Sequence, residues 1–489
     1  MAFEWTKTGV DLHLDLDIGH DSGTGGRRAG LERALRNAVR DGRLTPGTRL
    51  PASRTLAAEL DLARGTVTAA YEQLVAEGYL SARRGAGTVV ADLPPPPPAP
   101  GHPPGETARP GGGADPRHGQ GTPPRPRHDL MPGRPDVASF PVEAWLRAAR
   151  RVLPRTEAQA FGLGDPRGHP ALRTALADYL GRTRGVLADP ERIVVTTGFM
   201  QSLGLLARVL HDGGCAAVAM EDPCAPFHRE AVRRAGPRVL PLPVDERGAD
   251  ARVPDGAGAV VVTPAHQAVL GTVLAPERRR ALVDWASTSG GLIIEDDYDG
   301  EFRYDRQPVG ALQQMAPEQV GYLGTASKTL GPGVRLGWMV LPPRLVPAVA
   351  EAKFYADAQT EVIGQLVLAE LIRTHEYDRH VRAQRLRYRR RRDALLRRLA
   401  EEVPRVRVRG AAAGVQLLLE LPADGPSETE VAARAAARGL RVVPTGSVWH
   451  DAGAVRPPRI GIGYATPPDH AYPAALDALI ATLRECLDG

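Results

Sequence analysis

Apolar positions fall into two rhythms along this chain, and the change between them divides it. Residues 29–41 place Leu31, Ala34, Leu35 and Ala38 at helical spacing. The segment 42–51, GRLTPGTRLP, interrupts that helix with Gly and Pro. Ser53 is a plausible N-cap for a short helix with Leu56, Ala57 and Leu60 on its apolar face. After a turn at Asp61–Ala63, a helix over Arg64–Glu77 turns Val67, Ala70, Tyr71, Leu74 and Val75 inward. Residues 78–91 then read as a β-hairpin with Arg83, Arg84 and Gly85 at its tip. Helix, short helix, turn, helix and basic hairpin predict a winged helix-turn-helix.

From Asp129 onward the pattern alternates between short apolar runs and amphipathic helices. The run 192–210, RIVVTTGFMQSLGLLARVL, is a strand, a turn at Thr197-Gly198 and a helix whose free N–H groups suit a phosphate. Two further runs, AAVAMEDP and AGAVVVTPAHQ, end in polar groups. Such alternation predicts a mostly parallel sheet flanked by helices. Beyond Arg344 come long helices, including the arginine-rich 379–402, whose charges read as a solvated face. The strands GVQLLLEL, RVV and PPRIGIGYA then predict a smaller α+β domain.

The stretch 291–338 carries the chemistry. The apolar run Leu292–Ile294 ends in Glu295, Asp296 and Asp297, followed by Tyr298. A second run near Val320–Leu323 leads into Thr325, Ser327 and Lys328, with Arg335 seven residues beyond the lysine. Apolar runs that stop at polar groups deliver them to the carboxyl edge of a sheet, where open α/β sheets bind ligands. A carboxylate, a phenol, hydroxyls, a lysine and an arginine gathered there suit a phosphorylated pyridine aldehyde held as a Schiff base. Asp296 is the carboxylate aligned with Tyr298, because residues two apart on a strand share a face. Lysine usage sharpens the assignment: only Lys7, Lys328 and Lys353 are lysines among 62 basic residues. Arginine stays protonated and cannot attack an aldehyde, so a retained lysine points to a chemical need.

The net charge of +5 is modest, yet residues 27–90 alone hold 11 arginines against 6 acids. A compact basic module is the footprint of nucleic-acid binding. No apolar run reaches membrane-spanning length, and the acidic, broken N-terminus is unlike a signal peptide. Cys215, Cys224 and Cys486 suggest neither a disulfide framework nor a metal site. A cytoplasmic protein is expected. Residues 92–127, rich in Pro and Gly, read as a flexible, partly polyproline spacer. The expected organisation is therefore a head over residues 1–91, a linker over 92–127 and an effector domain over 128–489.

The head resembles the GntR-type DNA-binding domain through LPASRTLAAEL, RGTVTAAYEQLVAEGYL and RRGAGT. That resemblance implies that Arg54, Arg64 and Thr66 meet bases or phosphates, and that Arg84 with Gly85 reaches the minor groove; Tyr71 reads as core. The rest resembles the fold-type I enzymes of the class I aminotransferase kind, through MPGRPDVASFPVEAW, FGLGDPRGHPALR, EDDYDGEFRY, SKTLGPGVRLGW and PRIGIGYA. Together the two look like the MocR family of transcriptional regulators. The fold implied is α/β: a winged helix-turn-helix plus a fold-type I domain with a large α/β part and a smaller α+β part. The cofactor implied is pyridoxal 5'-phosphate. Lys328 would form its Schiff base, Asp296 would face the pyridine nitrogen and Tyr298 the ring oxygen. Arg335, Ser327, Thr325 and the amides of Gly198, Phe199 and Met200 would hold the phosphate. Arg459, on a short strand, is the candidate for an effector carboxylate.

Two departures from the family pattern stand out. Ala225 fills the position of the aromatic residue that stacks on the pyridine, leaving Phe227, His228 or His266 to cover that face. The loop from His266 to Gly271 lacks the family's proline. The resemblance implies a homodimeric regulator of double-stranded operator DNA, sensing an amino compound or the cofactor itself and not acting as an enzyme. A working aminotransferase with an attached head is the alternative.

Overall fold

The computed structural model describes residues 26–83, 87–92, 126–305, 309–451 and 456–488. They form two compact units, one ending at Gln120 and the other beginning at Gly121. The sequence-predicted linker lies outside the described residues except at its two ends, as do Arg84 and Gly85.

In the first unit, α1 (Gly26–Arg40), α2 (Ser53–Glu59) and α3 (Arg64–Ala76) precede a hairpin of β1 (Leu80–Arg83) and β2 (Gly87–Val90). Leu31, Leu35, Leu56, Val67, Tyr71 and Leu74 are its buried centre, as the helical periodicity requires. Ser53 is the first helical residue of α2 and Ala52 occupies the cap, with no side-chain capping bond. The chain enters α2 one residue earlier than the serine signal suggests. The turn into α3 is made by Asp61 in the left-handed region (φ 50°), which a short polar side chain tolerates better than most.

The second unit begins with β3 (His128–Asp129), α4 (Val142–Val152) and α5 (Pro170–Arg184). Its large sheet takes β4 (Ile193–Thr196), β5 (Ala217–Asp222), β6 (Arg238–Asp245), β7 (Gly248–Ala249), β8 (Ala259–Val262), β9 (Leu292–Asp297), β10 (Val320–Thr325) and β11 (Gly337–Val340). The spatial order is β4-β11-β10-β9-β8-β5-β6-β7. Neighbours from β10 to β6 pair in parallel, whereas β11 runs against both β10 and β4. Helices α6 (Phe199–Asp212), α7 (Pro226–Ala235) and α8 (Pro276–Ser289) connect these strands. Strands β4, β8, β9 and β10 are buried along their whole length, which explains their continuous apolar runs.

The polypeptide continues through α9 (Val346–Asp357), α10 (Val362–Arg373) and the long α11 (Glu376–Glu402). A smaller layer follows: β12 (Arg407–Arg409), β13 (Gln416–Glu420), α12 (Glu428–Ala437), β14 (Leu440–Arg441), β15 (Val443–Pro444), β16 (Arg459–Gly463) and α13 (Tyr472–Asp488). Its sheet runs β12-β13-β16-β15 and is antiparallel, while β14 pairs in parallel with β3. The arginines of α11 are not uniformly a solvated face. Arg391 is buried and donates to Asp469 at 2.6 Å, to Asp136 at 3.3 Å and to the Ala465 carbonyl at 2.7 Å. It ties this helix to the segment ahead of α4 and to the turn before α13.

Candidate functional site

A cleft of about 570 Å³ opens where the carboxyl ends of β9 and β10 meet β13, β15 and β16. Asp296, Tyr298, Thr325, Ser327, Lys328 and Arg335 line it together, with Phe199 and Met200 at the start of α6. Alternation along β9 explains the selection. Glu295 faces the other way and accepts the backbone N–H groups of Leu312 and Gln313 at 2.7 and 2.8 Å. Asp297 is held by Arg184 at 2.6 and 3.0 Å and by the Tyr322 hydroxyl at 2.7 Å. Asp296 is left to the cleft. Its Oδ1 is buried and has no hydrogen-bond partner among the described residues. Burial and the neighbouring Asp297 push its carboxyl well above the usual range, while Lys328 acts in the opposite sense. A buried acceptor without a partner is costly, and a protonated ring nitrogen is the donor such an oxygen lacks.

Lys328 donates to the Gly133 carbonyl and lies 5.7 Å from the centre of the Tyr298 ring. Burial holds its ammonium below lysine's usual range, opposed by Asp299 and Asp296. Asp299 is a member that the strand rhythm does not expose. β9 ends at Asp297, so the period of two fails beyond it. Asp299 and the Tyr298 hydroxyl both reach His266 Nδ1, at 2.9 and 3.0 Å.

Thr197-Gly198 and the start of α6 form an anion cradle. Gly198 takes φ 123°, and a Cβ there would stand 3.4 Å from an Arg335 guanidinium nitrogen. Glycine thus lets the backbone approach the arginine closely. Arg335 itself is left-handed (φ 53°), exposed, and without an ion pair among the described residues. Thr325 Oγ1 meets Ser327 Oγ at 2.9 Å on the same side. Helix N–H groups, two hydroxyls and an unpaired guanidinium are a phosphate's partners.

The candidates for the ring face separate. His228 lines the cleft, its ring 4.8 Å from Phe199 and 4.5 Å from Phe227 between centroids. Burial and the nearby Lys328 charge hold it far below the usual histidine range, at about 3, so the ring is neutral. His266 is fully buried behind Tyr298 and does not line the cleft. There is room for it only because residue 414 is glycine, since a Cβ there would stand 2.2 Å from the imidazole. The loop lacking proline is closed instead by Gln267, whose Oε1 accepts from Val269 and Leu270 N–H at 2.9 and 2.6 Å. Arg459 is also elsewhere. It donates to Glu420 at 3.3 and 3.1 Å and borders a separate cavity.

In the first unit, Arg54 and Arg64 are exposed at the starts of α2 and α3 and have no ion pair among the described residues; Thr66 is half-buried one turn on. Arg36, by contrast, is paired with Glu77. Among the described residues no group of His, Cys, Asp and Glu is disposed to hold a metal, and no helix is long and apolar enough to cross a membrane.

Comparison with known proteins adds a second line of evidence. The family described as Aminotransferase class I and II matches residues 129–479, and Bacterial regulatory proteins, gntR family, matches residues 28–90. The HTH-type pyridoxine biosynthesis transcriptional regulator PdxR of Corynebacterium glutamicum is 33% identical over 87% of this chain and 89% of its own. The probable rhizopine catabolism regulatory protein MocR of Rhizobium meliloti is 33% identical over 73% and 74%. The chain belongs to the MocR family of transcriptional regulators. The effector unit of this MocR-family chain has the fold-type I architecture. A crystal structure of α-aminoadipate aminotransferase from Thermus thermophilus, complexed with a phosphopyridoxyl-leucine, matches with TM-score 0.64 at 26% identity, covering 73% of this chain and 92% of that one. Pyridoxal 5'-phosphate is the cofactor that this family and its structural neighbours imply. The orphaned Asp296 oxygen, the half-buried lysine and the anion cradle fit it.

Proposed function

We propose that this chain is a cytoplasmic DNA-binding regulator that holds pyridoxal 5'-phosphate on Lys328 as a Schiff base and senses an amino compound or the cofactor itself. The observation that carries this reading is the unpartnered Asp296 Oδ1 facing the same cleft as the half-buried Lys328 amine. The cofactor supplies an electrophilic aldehyde and a phosphate handle. Lys328 provides a nitrogen whose ammonium form burial disfavours. Asp296 keeps a proton on the ring nitrogen, and Tyr298, backed by His266 and Asp299, presents its hydroxyl to the ring oxygen. Gly198, Phe199 and Met200 N–H groups with Thr325, Ser327 and Arg335 take the phosphate. His228 covers the ring face that Ala225 leaves bare.

A homodimer is part of this proposal. Leu163 and Tyr355 are 83% and 80% exposed, and Phe161, Phe354 and Ile363 on the same two segments are exposed as well. Gln359 joins the two segments by bonding Gly162 and Gly164. Exposed apolar side chains on two joined segments suit a second copy of the chain, and two heads would then read two half-sites. The test is DNA binding by the full chain, measured with and without pyridoxal phosphate and with candidate amines. An unchanged affinity throughout rejects the sensor.

Two expected results follow from the geometry. Arg64→Ala weakens binding to a duplex selected from a random pool by the wild-type chain. The loss is about 1–3 kcal/mol if Arg64 reads a base, with relaxed preference at one position; binding titrations over a series of single-base changes check it. Cofactor capture has its own pH profile. The depressed Lys328 value means that the nucleophilic free amine persists to lower pH than in an ordinary lysine, and capture fades as pH falls through that value. Asp299→Asn removes a charge that favours the ammonium, so the fade moves to lower pH in spectrophotometric titration.

A working transaminase is the second reading, favoured by the likeness to the 2-aminoadipate transaminase of Thermus thermophilus, 30% identical over 68% of this chain and 84% of that one. Sustained keto-acid production over many turnovers would select it.

A further inference from the structure

We infer that the effector of this cleft is a primary amine with an apolar tail and no acid group, an inference that rests on the sensor reading above. The argument is set by one ladder. Strands β13 and β16 pair Gln416 with Gly463, Leu418 with Gly461 and Glu420 with Arg459. Residues directly opposite one another, and those two apart, share a face of a sheet. One face therefore carries all three pairs. Gln416, Leu418 and Gly461 from the first two form part of the cleft wall. The third pair lies one step further along, where Arg459 lines a neighbouring cavity of about 510 Å³ on the far side of Leu418.

Glu420 accepts from Arg459 at 3.1 Å and from Arg409, which lines the same cavity as Arg459, at 3.0 Å. The one arginine on β16 is thus bound to an internal carboxylate and displaced from the cleft. Opposite Leu418, where a cation would meet an effector, stands Gly461.

Besides His228, the basic side chains that line the cleft among the described residues are Lys328 and Arg335. The first is committed to the cofactor aldehyde and the second to its phosphate. His228 is neutral. A carboxylate entering this space would lose its water and find no uncommitted cation in exchange. Met131, Phe227, Val269 and Val448 instead offer an apolar wall.

The cleft can be reversed by one substitution. A Cβ at Gly461 meets Pro132 Cγ at 3.5 Å and the Val443 carbonyl at 3.6 Å, both ordinary contacts, and its φ lies outside the left-handed region. The backbone at 461 thus accepts a side chain without strain, and Gly461→Arg is the substitution that would bring a guanidinium to the cleft wall.

The experiment is calorimetric titration of the cofactor-loaded full chain with phenethylamine and with phenylalanine, which differ by the carboxylate. Phenethylamine is expected to bind at least about tenfold more tightly, a difference of about 1.4 kcal/mol. Gly461→Arg is expected to narrow or invert that ratio, and Arg459→Ala to leave it in place. Equal or tighter binding of phenylalanine to the wild type overturns the inference. So does a loaded chain that responds to neither compound, and a partner subunit supplying the missing cation would show as the former. A chain that never takes up the cofactor, seen by its absorbance before titration, fails the sensor reading instead.

Discussion

Lys328→Ala abolishes the visible absorbance of the lysine–aldehyde imine and the covalent retention of pyridoxal phosphate after borohydride reduction. The effect is a complete loss, because arginine cannot replace the amine and Lys353, the other described lysine, is fully buried and paired with Asp357 at 2.6 Å. The head carries its own core, so its intrinsic affinity for DNA is expected to survive while the response to cofactor disappears. Absorbance, mass spectrometry after reduction and a DNA titration check the three parts separately. A variant that keeps an imine spectrum defeats the assignment of Lys328.

Removing Arg184 is expected to destabilise the second unit by about 3–5 kcal/mol, the usual cost of stranding one partner of a buried ion pair. The Arg184 and Asp297 side chains are 4% and 2% exposed. Without the guanidinium, Asp297 would keep only the Tyr322 hydroxyl, and Glu295 and Glu301 are both pushed up to about 7 partly by its charge. Denaturant unfolding of the cofactor-free chain followed by tryptophan fluorescence measures the loss. Trp145, Trp285, Trp338 and Trp449 all lie in the second unit, so that signal reports mainly on it. The exposed Arg234–Glu230 pair of α7, in the same unit, is the control: breaking it costs at most about 1 kcal/mol. A loss as small for Arg184→Ala would mean that water enters and solvates Asp297.

Much of this arrangement was legible in local rhythm. Apolar runs in β9 and β10 marked buried parallel strands, and a period of two separated Asp296 from its acidic neighbours. The head's helices followed from Leu31, Leu35, Val67, Ala70 and Leu74. What stayed hidden depends on partners distant in sequence. Nothing near Arg459 announces that Glu420 will hold it, and the PRIGIGYA motif invites a carboxylate-binding role that the β13–β16 register removes. His266 offered a ring for the cofactor, but Asp299 draws it behind Tyr298 after the strand ends. Ser53 carried the right chemistry for a cap and missed it by one residue, because the chain becomes helical at the serine itself.

The scarcity of lysine has a practical consequence. Lys353 is sealed in and neutralised by Asp357, so within the described part of the molecule Lys328 is the single side-chain amine open to the cleft. Reagents that target primary amines therefore meet few competing sites, Lys7 and the α-amino group being the others to account for. A fluorescent or isotopic tag introduced by reductive amination would mark this cleft, and competition against that tag would rank effectors on an otherwise native chain.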